Sequence, residues 1–183
     1  SKSVDFGKTW SSPVDISKFS GDCLDDDFTA EGAVPTVGPN GEIYVCWARD
    51  SKLYFNFSLD EGKTWLEEEM LIGAQMEGWA IDIPGIYRCN GMPVTSCDIS
   101  NSKYKGTIYV NWADQRNGKQ NTDIWIKKST DGGKTWSEDV RVNTDASNRH
   151  QFLTWMTVDQ SNGYLYIVYY DRRNHVDNHT DVY

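Results

Sequence analysis

An all-β fold is predicted by three features of the 183-residue sequence. An octapeptide rich in turn formers occurs three times. A glycine-led run of β-branched and aromatic residues also occurs three times, each time ahead of or behind an octapeptide. No segment keeps apolar residues at helical spacing for more than two turns.

The octapeptides are Ser3-Val4-Asp5-Phe6-Gly7-Lys8-Thr9-Trp10, Ser58-Leu59-Asp60-Glu61-Gly62-Lys63-Thr64-Trp65 and Ser129-Thr130-Asp131-Gly132-Gly133-Lys134-Thr135-Trp136. The shared pattern is S-x-D-x-G-K-T-W, with aspartates 55 and then 71 residues apart. Such a pattern closes a turn. The aspartate carboxylate accepts from nearby amides and the threonine hydroxyl. The glycine takes positive φ without a Cβ clash, and the tryptophan folds back onto the sheet. Asp5, Asp60 and Asp131 are therefore read as structural and not catalytic.

The glycine-led runs are Gly41–Trp47, Gly106–Trp112 and Gly163–Tyr169, all of the form G-x-[IL]-Y-[VI] followed two residues later by Trp or Tyr. Each reads as a strand entered from a tight turn. After two of them a loop opens with Asp114-Gln115-Arg116-Asn117 or Asp171-Arg172-Arg173-Asn174 and leads to the next strand. The expected unit has four strands. The first is Met92–Ser96 or Phe152–Val158, the second is the glycine-led run, the third ends in the octapeptide turn, and the fourth is Val140–Asn143. Four-stranded units repeating every 55–71 residues predict a β-propeller of antiparallel blades. The expected division is 1–30 for the end of one blade, 31–90 and 91–148 for two blades, and 149–183 for the start of another. Trp47, Trp112 and Tyr169 should occupy equivalent, largely buried positions, and so should Trp65 and Trp136.

Composition narrows the function classes. Eighteen Lys+Arg against 27 Asp+Glu give a net charge of −9, which argues against a nucleic-acid partner. No apolar run approaches the ~18 residues of a membrane span, and no apolar signal-type segment follows Ser1-Lys2-Ser3-Val4. Aromatics at 13% argue against disorder. Cys23, Cys46, Cys89 and Cys97 lack zinc-site pairing and are expected as free, partly buried thiols, with a disulfide involving Cys23 or Cys89 as the alternative. The acidic loop Asp22, Asp25, Asp26, Asp27 and Glu31 offers oxygen ligands for calcium but lacks the spacing of a dedicated loop, so a solvated charge run is expected and no cofactor.

The octapeptide resembles the Asp-box, or BNR repeat, of sialidase-like β-propellers. The run Asp82–Val94 and the run Asn111–Asn117 are similar to secreted sialidase-like proteins of Bacteroidota type. The resemblance implies a six- or seven-bladed ring, of which this chain would be a fragment of about three blades, beginning inside one Asp-box and ending in a third strand. It implies an extracellular or cell-surface location, Asp-boxes on the face opposite the ligand site, and an acidic glycan as ligand. A homodimer closing the ring is the alternative assembly. The chain departs from the enzyme pattern. The Arg-Ile-Pro motif is absent, Ile86-Tyr87-Arg88 being the nearest fragment, and no tyrosine nucleophile with its glutamate partner is assigned.

Strand alternation sets the expected ligand rim. Second-to-third-strand loops and blade-entry loops share one rim, and the octapeptide turns share the other. The candidate ligand residues are Arg88, Asp114, Arg116, His150, Asp171 and Arg173, with Arg49, Asp50, Trp79, Asp82, Arg149, Arg172, Asn174 and His175 on the same rim. Arginine offers a planar donor fork to a carboxylate. The competing role is bracing, with Asp114 pairing Arg116 and Asp171 pairing Arg173 inside their own loops. The function expected is an acidic-glycan-binding or exo-sialidase-like propeller, the alternative a non-catalytic scaffold for protein partners.

Overall fold

The computed structural model describes residues 1–22, 24 and 26–183, so the expectations placed on Cys23 and Asp25 lie outside the described residues. Three antiparallel meander sheets follow one another along the chain. The first holds β1 (Glu31–Val37), β2 (Ile43–Arg49), β3 (Lys52–Ser58) and β4 (Met70–Ala74). The second holds β5 (Val94–Cys97), β6 (Ile108–Asp114), β7 (Asp123–Ser129) and β8 (Val140–Arg141). The third holds β9 (Gln151–Val158), β10 (Leu165–Asp171) and β11 (Asp181–Val182). Among the described residues the only helical element is a 3-10 turn at Asp26–Phe28. No helix is long and apolar enough to cross a membrane.

The first strands β1, β5 and β9 lie side by side, and the sheets fan out from them. Two cores fill the gaps. Between the first and second sheets, Tyr44, Leu53, Phe55 and Ile72 meet Ile108, Val110 and Trp112. Between the second and third, Ala113, Ile124 and Phe152 close over Ile81, Ile83 and Cys89 from the long 75–91 connection. Buried polar groups link the sheets as well. The Cys46 amide donates to Thr95 Oγ1 at 3.2 Å, and Thr154 Oγ1 donates to Asn111 Oδ1 at 2.7 Å. Cys46, Cys89 and Cys97 are free and fully buried rather than partly so.

One motif therefore meets three environments. β2 and β6 are covered on both faces. β10 alternates, leaving Tyr166, Val168 and Tyr170 exposed beside Leu153 and Trp155 of β9. The outer face of the first sheet is partly covered by residues 1–20, where Asn56 Nδ2 donates to the Ile16 carbonyl at 2.9 Å and the Lys18 amide donates to Glu69 at 2.7 Å.

Register confirms the repeat. Trp47 pairs with Tyr54 and Trp112 with Trp125, and Tyr169 exchanges both backbone hydrogen bonds with Tyr183 at 3.0 Å. Trp47 and Trp112 are buried as expected, at 2% and 0% exposure. Tyr169 is only half-buried, although it packs against the core between the second and third sheets. Trp65 and Trp136 are also half-buried rather than largely buried. Each indole lies along its own turn, donating to Gly62 O or Gly133 O at 3.2 and 3.1 Å, so one edge stays in solvent.

The three octapeptide turns share one hydrogen-bond pattern. Thr9, Thr64 and Thr135 each donate an amide and a hydroxyl to the aspartate four residues earlier, at 2.6–2.9 Å. Ser3, Ser58 and Ser129 donate to the same carboxylate at 2.8–2.9 Å and accept the glycine amide. Gly133 needs to be glycine twice over. Its φ is +90°, and a Cβ would run into the Phe55 ring of the neighbouring sheet. Threonine hydroxyl and amide donation, with serine adding to it, holds all three carboxyls down at about 2.

A pH dependence follows. A carboxyl with a depressed folded-state value lends stability that is complete above its unfolded value of ~3.9 and is lost as pH falls towards the folded one. The urea midpoint should hold steady above about pH 5 and drop between about pH 4 and pH 2. Asp60→Asn and Asp131→Asn should each lower the midpoint at pH 7 and flatten that drop.

Candidate functional site

The first sheet has almost no loop on the ligand rim. Asp50 and Ser51, both at φ +52°, form a two-residue turn between β2 and β3. Mirror-image turns of this kind match the twist of the strands they join. The second and third sheets instead carry loops 115–122 and 172–180 at that position. The rim is therefore built up only between these two sheets, where the 75–91 connection and residues 144–150 also arrive.

The sequence-predicted arginines fall into two groups. Arg116 and Arg173 turn back onto their own sheets. Arg116 Nε lies 3.0 Å from both oxygens of Asp114, Nη2 donates to Asp114 at 2.6 Å, and Nη1 donates to Asp139 at 2.7 Å. Arg173 donates through Nε to Asp171 at 2.7 Å and through Nη2 to the Tyr169 hydroxyl at 3.1 Å. Asp114 and Asp171 are fully buried. Hydrogen bonds donated to Asp171, chiefly, hold Arg173 well above the usual arginine range. These four residues brace the loops, and their polar atoms point into the protein.

The same brace recurs in the first sheet from another backbone position. Arg49 stands where Asp114 and Asp171 stand, yet its guanidinium occupies the place of those of Arg116 and Arg173. Arg49 Cζ lies 4.3 Å from the Tyr54 ring, Arg116 Cζ 4.1 Å from Trp125 and Arg173 Cζ 4.5 Å from Tyr183, three equivalent third-strand aromatics. Arg49 pairs with Glu69, which takes the register position of Asp139. The exchange leaves a trace. Trp112 Nε1 donates to Asp114 at 2.9 Å, whereas the buried Trp47 Nε1 has no acceptor among the described residues.

Between β9 and β10 the rim presents a different set. His150 is buried, and its Nδ1 lies 3.0 Å from Thr122 Oγ1, which in turn accepts from Gln115 Nε2 at 3.0 Å. Burial first, then the positive charge of Arg172, lowers the His150 value, with Asp82 opposing and Arg149 adding to the shift. Burial thus favours the uncharged imidazole. Arg172 is 3% exposed and makes no ion pair among the described residues. Its Nη1 donates to the Pro84 carbonyl at 2.8 Å and to Asn178 Oδ1 at 3.4 Å, and its Nε donates to Thr180 at 3.0 Å. Burial lowers its value, with Asp177 pulling the other way. Arg172, Arg149, His150, Asn148, Asn178, Gln120 and Asp177 line one small pocket. Arg88 is separate and exposed, over the Trp79 ring at 5.9 Å.

The candidate set thus divides. Asp114, Arg116, Asp171 and Arg173 are internal, His150 faces a pocket, and Arg88 stands on the 75–91 loop. Arg172 is the residue that sequence reasoning underweighted. Alternation of side chains along an extended chain puts Asp171 and Arg173 on one face and Arg172 on the other, and that signal was available in the D-R-R triplet.

Removing a guanidinium from a buried carboxylate leaves a charge without a partner. Arg116→Ala should destabilise the protein by about 3 kcal/mol in urea unfolding. Trp112→Phe should cost about 1 kcal/mol through its lost hydrogen bond, while Trp47→Phe should be close to neutral.

The comparisons bear on the fold. The BNR/Asp-box repeat model matches residues 127–138. No curated protein matches the chain by sequence. Among solved structures, the α-L-arabinofuranosidase Arb93A of Fusarium graminearum, in complex with an iminosugar inhibitor, superposes with a TM-score of 0.54 at 20% identity, over 84% of this chain and 44% of that one. The Hadza microbial sialidase Hz136 superposes with a TM-score of 0.54 at 16% identity, over 87% of this chain and 35% of that one. The chain spans less than half the length of either. With Asp-box turns on one rim and sheets that superpose on propeller glycosidases, the chain carries BNR/Asp-box repeats on a sialidase-like β-propeller fold.

Proposed function

We propose that the chain supplies the ligand rim of an extracellular, sialidase-like propeller that binds acidic glycans. The observation carrying this is Arg172, a buried guanidinium that makes no ion pair among the described residues, beside Arg149 and His150 in one pocket whose single acid is Asp177. A buried cation lacking a counter-ion is costly. A sugar carboxylate would supply the missing charge and accept from the arginine fork. Asn148, Asn178 and Gln120 would donate to its hydroxyls and acyl oxygens. The sequence contains no assigned nucleophile, so the proposal is binding, with any catalytic group outside these residues.

The test is calorimetric titration of the intact protein with N-acetylneuraminic acid and with its methyl ester. The acid should bind and the ester should bind far more weakly. Arg149→Ala and Arg172→Ala should each weaken the acid by about 1.5–3 kcal/mol. An anion in the pocket raises the His150 value from its depressed level, so binding takes up a proton and should tighten from about pH 8 to about pH 5.5. Equal affinity for acid and ester would overturn the proposal.

A second reading, a non-catalytic module for protein partners, is favoured by one observation: Asp114, Arg116, Asp171 and Arg173 are all engaged internally. Failure to bind or cleave any acidic glycoside would put it first.

A further inference from the structure

The two ends of the sheet array are complementary. Inside the array one sheet receives the next through a fixed set of positions. Tyr44, Cys46 and Ala48 of β2, with Leu53 and Phe55 of β3, pack against Ile108, Val110 and Trp112 of β6. Tyr44 reaches the octapeptide turn of that second sheet beside Gly132, and Phe55 fills the space that Gly133 leaves open. In the third sheet the same positions are Tyr166, Val168 and Tyr170 of β10 and Val182 of β11. All four are exposed, and none carries charge. A contiguous apolar face of this kind marks an interface. No fourth strand pairs with β11 among the described residues.

The opposite end holds the matching parts. Ile43 and Val45 stand where Ile108 and Val110 stand, and Gly62 and Trp65 stand where Gly133 and Trp136 stand. No ring from a neighbouring sheet arrives here. A Cβ at Gly62 would meet only Ile43 and Trp65 of its own sheet, whereas one at Gly133 would strike Phe55. With Val14, Ile16 and Glu61 these residues line an open, largely apolar cleft of about 280 Å³. Its outer wall, residues 12–16, is placed as a fourth strand. Val14 follows Trp10 by four residues, as Val140 of β8 follows Trp136. Asn56 donates to the Ile16 carbonyl, as Lys127 at the equivalent position of β7 donates to the Ile72 carbonyl of β4. One end of the array therefore presents an octapeptide turn and a fourth-strand segment without three strands to join. The other end presents three strands without a turn and a fourth.

We propose that a second copy of this chain covers the bare face of the third sheet, packed head to tail. Residues 12–16 of one copy lie beside β11 of the other, and Tyr166 enters the cleft formed by Ile43, Val45, Glu61 and Trp65. Contacts of this heterologous kind form rings when the rotation closes and open fibres when it does not. Two copies of three sheets make a ring of six, within the roughly four to eight sheets of closed propellers. Closure covers the apolar face and removes the exposed edge of β11. Packing two third-sheet faces on each other would leave both clefts empty. The inference is independent of the glycan reading.

The test is light scattering on the intact protein as it leaves a sizing column. The mass should be twice the chain's 20.9 kDa. Tyr166→Arg and Val14→Arg should each reduce it to that of one chain. Mixing the two variants should restore part of the doubled mass, because the mixed pair keeps one sound contact. Tyr166 and Val14 are 55% and 51% exposed in the single chain, so neither change reaches a core. Tyr166→Phe should keep the doubled mass, which separates a lost contact from a lost fold. A wild-type monomer would overturn the proposal, and so would a dimer that neither arginine variant dissociates. A dimer lost in Tyr166→Arg but kept in Val14→Arg means two third-sheet faces packed together, and a mixture that stays monomeric also rules out the head-to-tail contact. A ladder of higher masses means an open chain and rules out the ring.

Discussion

The rim depends on one interaction, a guanidinium set over a third-strand aromatic and held there by buried carboxylate. The stack places the cation where its Coulomb partners are desolvated and where the ring quadrupole attracts it. In the second sheet it joins Asp114, Arg116, Trp125 and Asp139, residues from β6, the following loop, β7 and the approach to β8. One side chain thus ties the loop to three successive strand positions. Asp171, Arg173 and Tyr183 do the same in the third sheet. Because each brace uses residues two apart, the residue between them is forced to the opposite face. Arg172 reaches the pocket for that reason.

The first sheet shows how the brace tolerates change. Arg49 comes from the strand itself, yet its guanidinium meets Tyr54 and Glu69, the counterparts of Trp125 and Asp139. A Phe19 ring covers the other side at 4.6 Å. The cation no longer needs a loop to deliver it, and the connection shrinks to Asp50-Ser51. The unsatisfied Trp47 indole is the cost of that exchange. Where the brace is delivered by a loop, the loop can also carry ligand groups. Where it is delivered by the strand, the rim is bare.

Packing between sheets supports the same arrangement. Phe55 of the first sheet meets Trp136 of the second edge-on, with centroids 5.0 Å apart, so an Asp-box tryptophan serves its neighbour as well as its own turn. The buried Lys127 reaches across from β7 to Asp139 at 3.0 Å and to the Ile72 carbonyl. Such contacts fix the angle between sheets and hence the spacing of the rim loops. The 75–91 connection enters this system through Ile81, Ile83 and Cys89, so its exposed face is positioned by a hydrophobic core.

The sequence by itself determined the turns, the strands and their order. Those features are local: an aspartate accepting from a threonine four residues on, a glycine at positive φ, and alternating β-branched and aromatic residues. It also determined which rim each loop occupies, since strand direction alternates. It did not determine which charged residues face a ligand. Asp114 with Arg116 and Asp171 with Arg173 are compatible with either an outward or an inward role. The choice rests on partners from distant strands, Asp139 and the third-strand aromatics. Tertiary structure alone decided that Arg172 is buried without an ion pair among the described residues and that Tyr87 is left in solvent on a loop whose Ile81 and Ile83 are in the core. Burial and charge pairing are sums over neighbours brought together from the whole chain, whereas a turn is settled within eight residues.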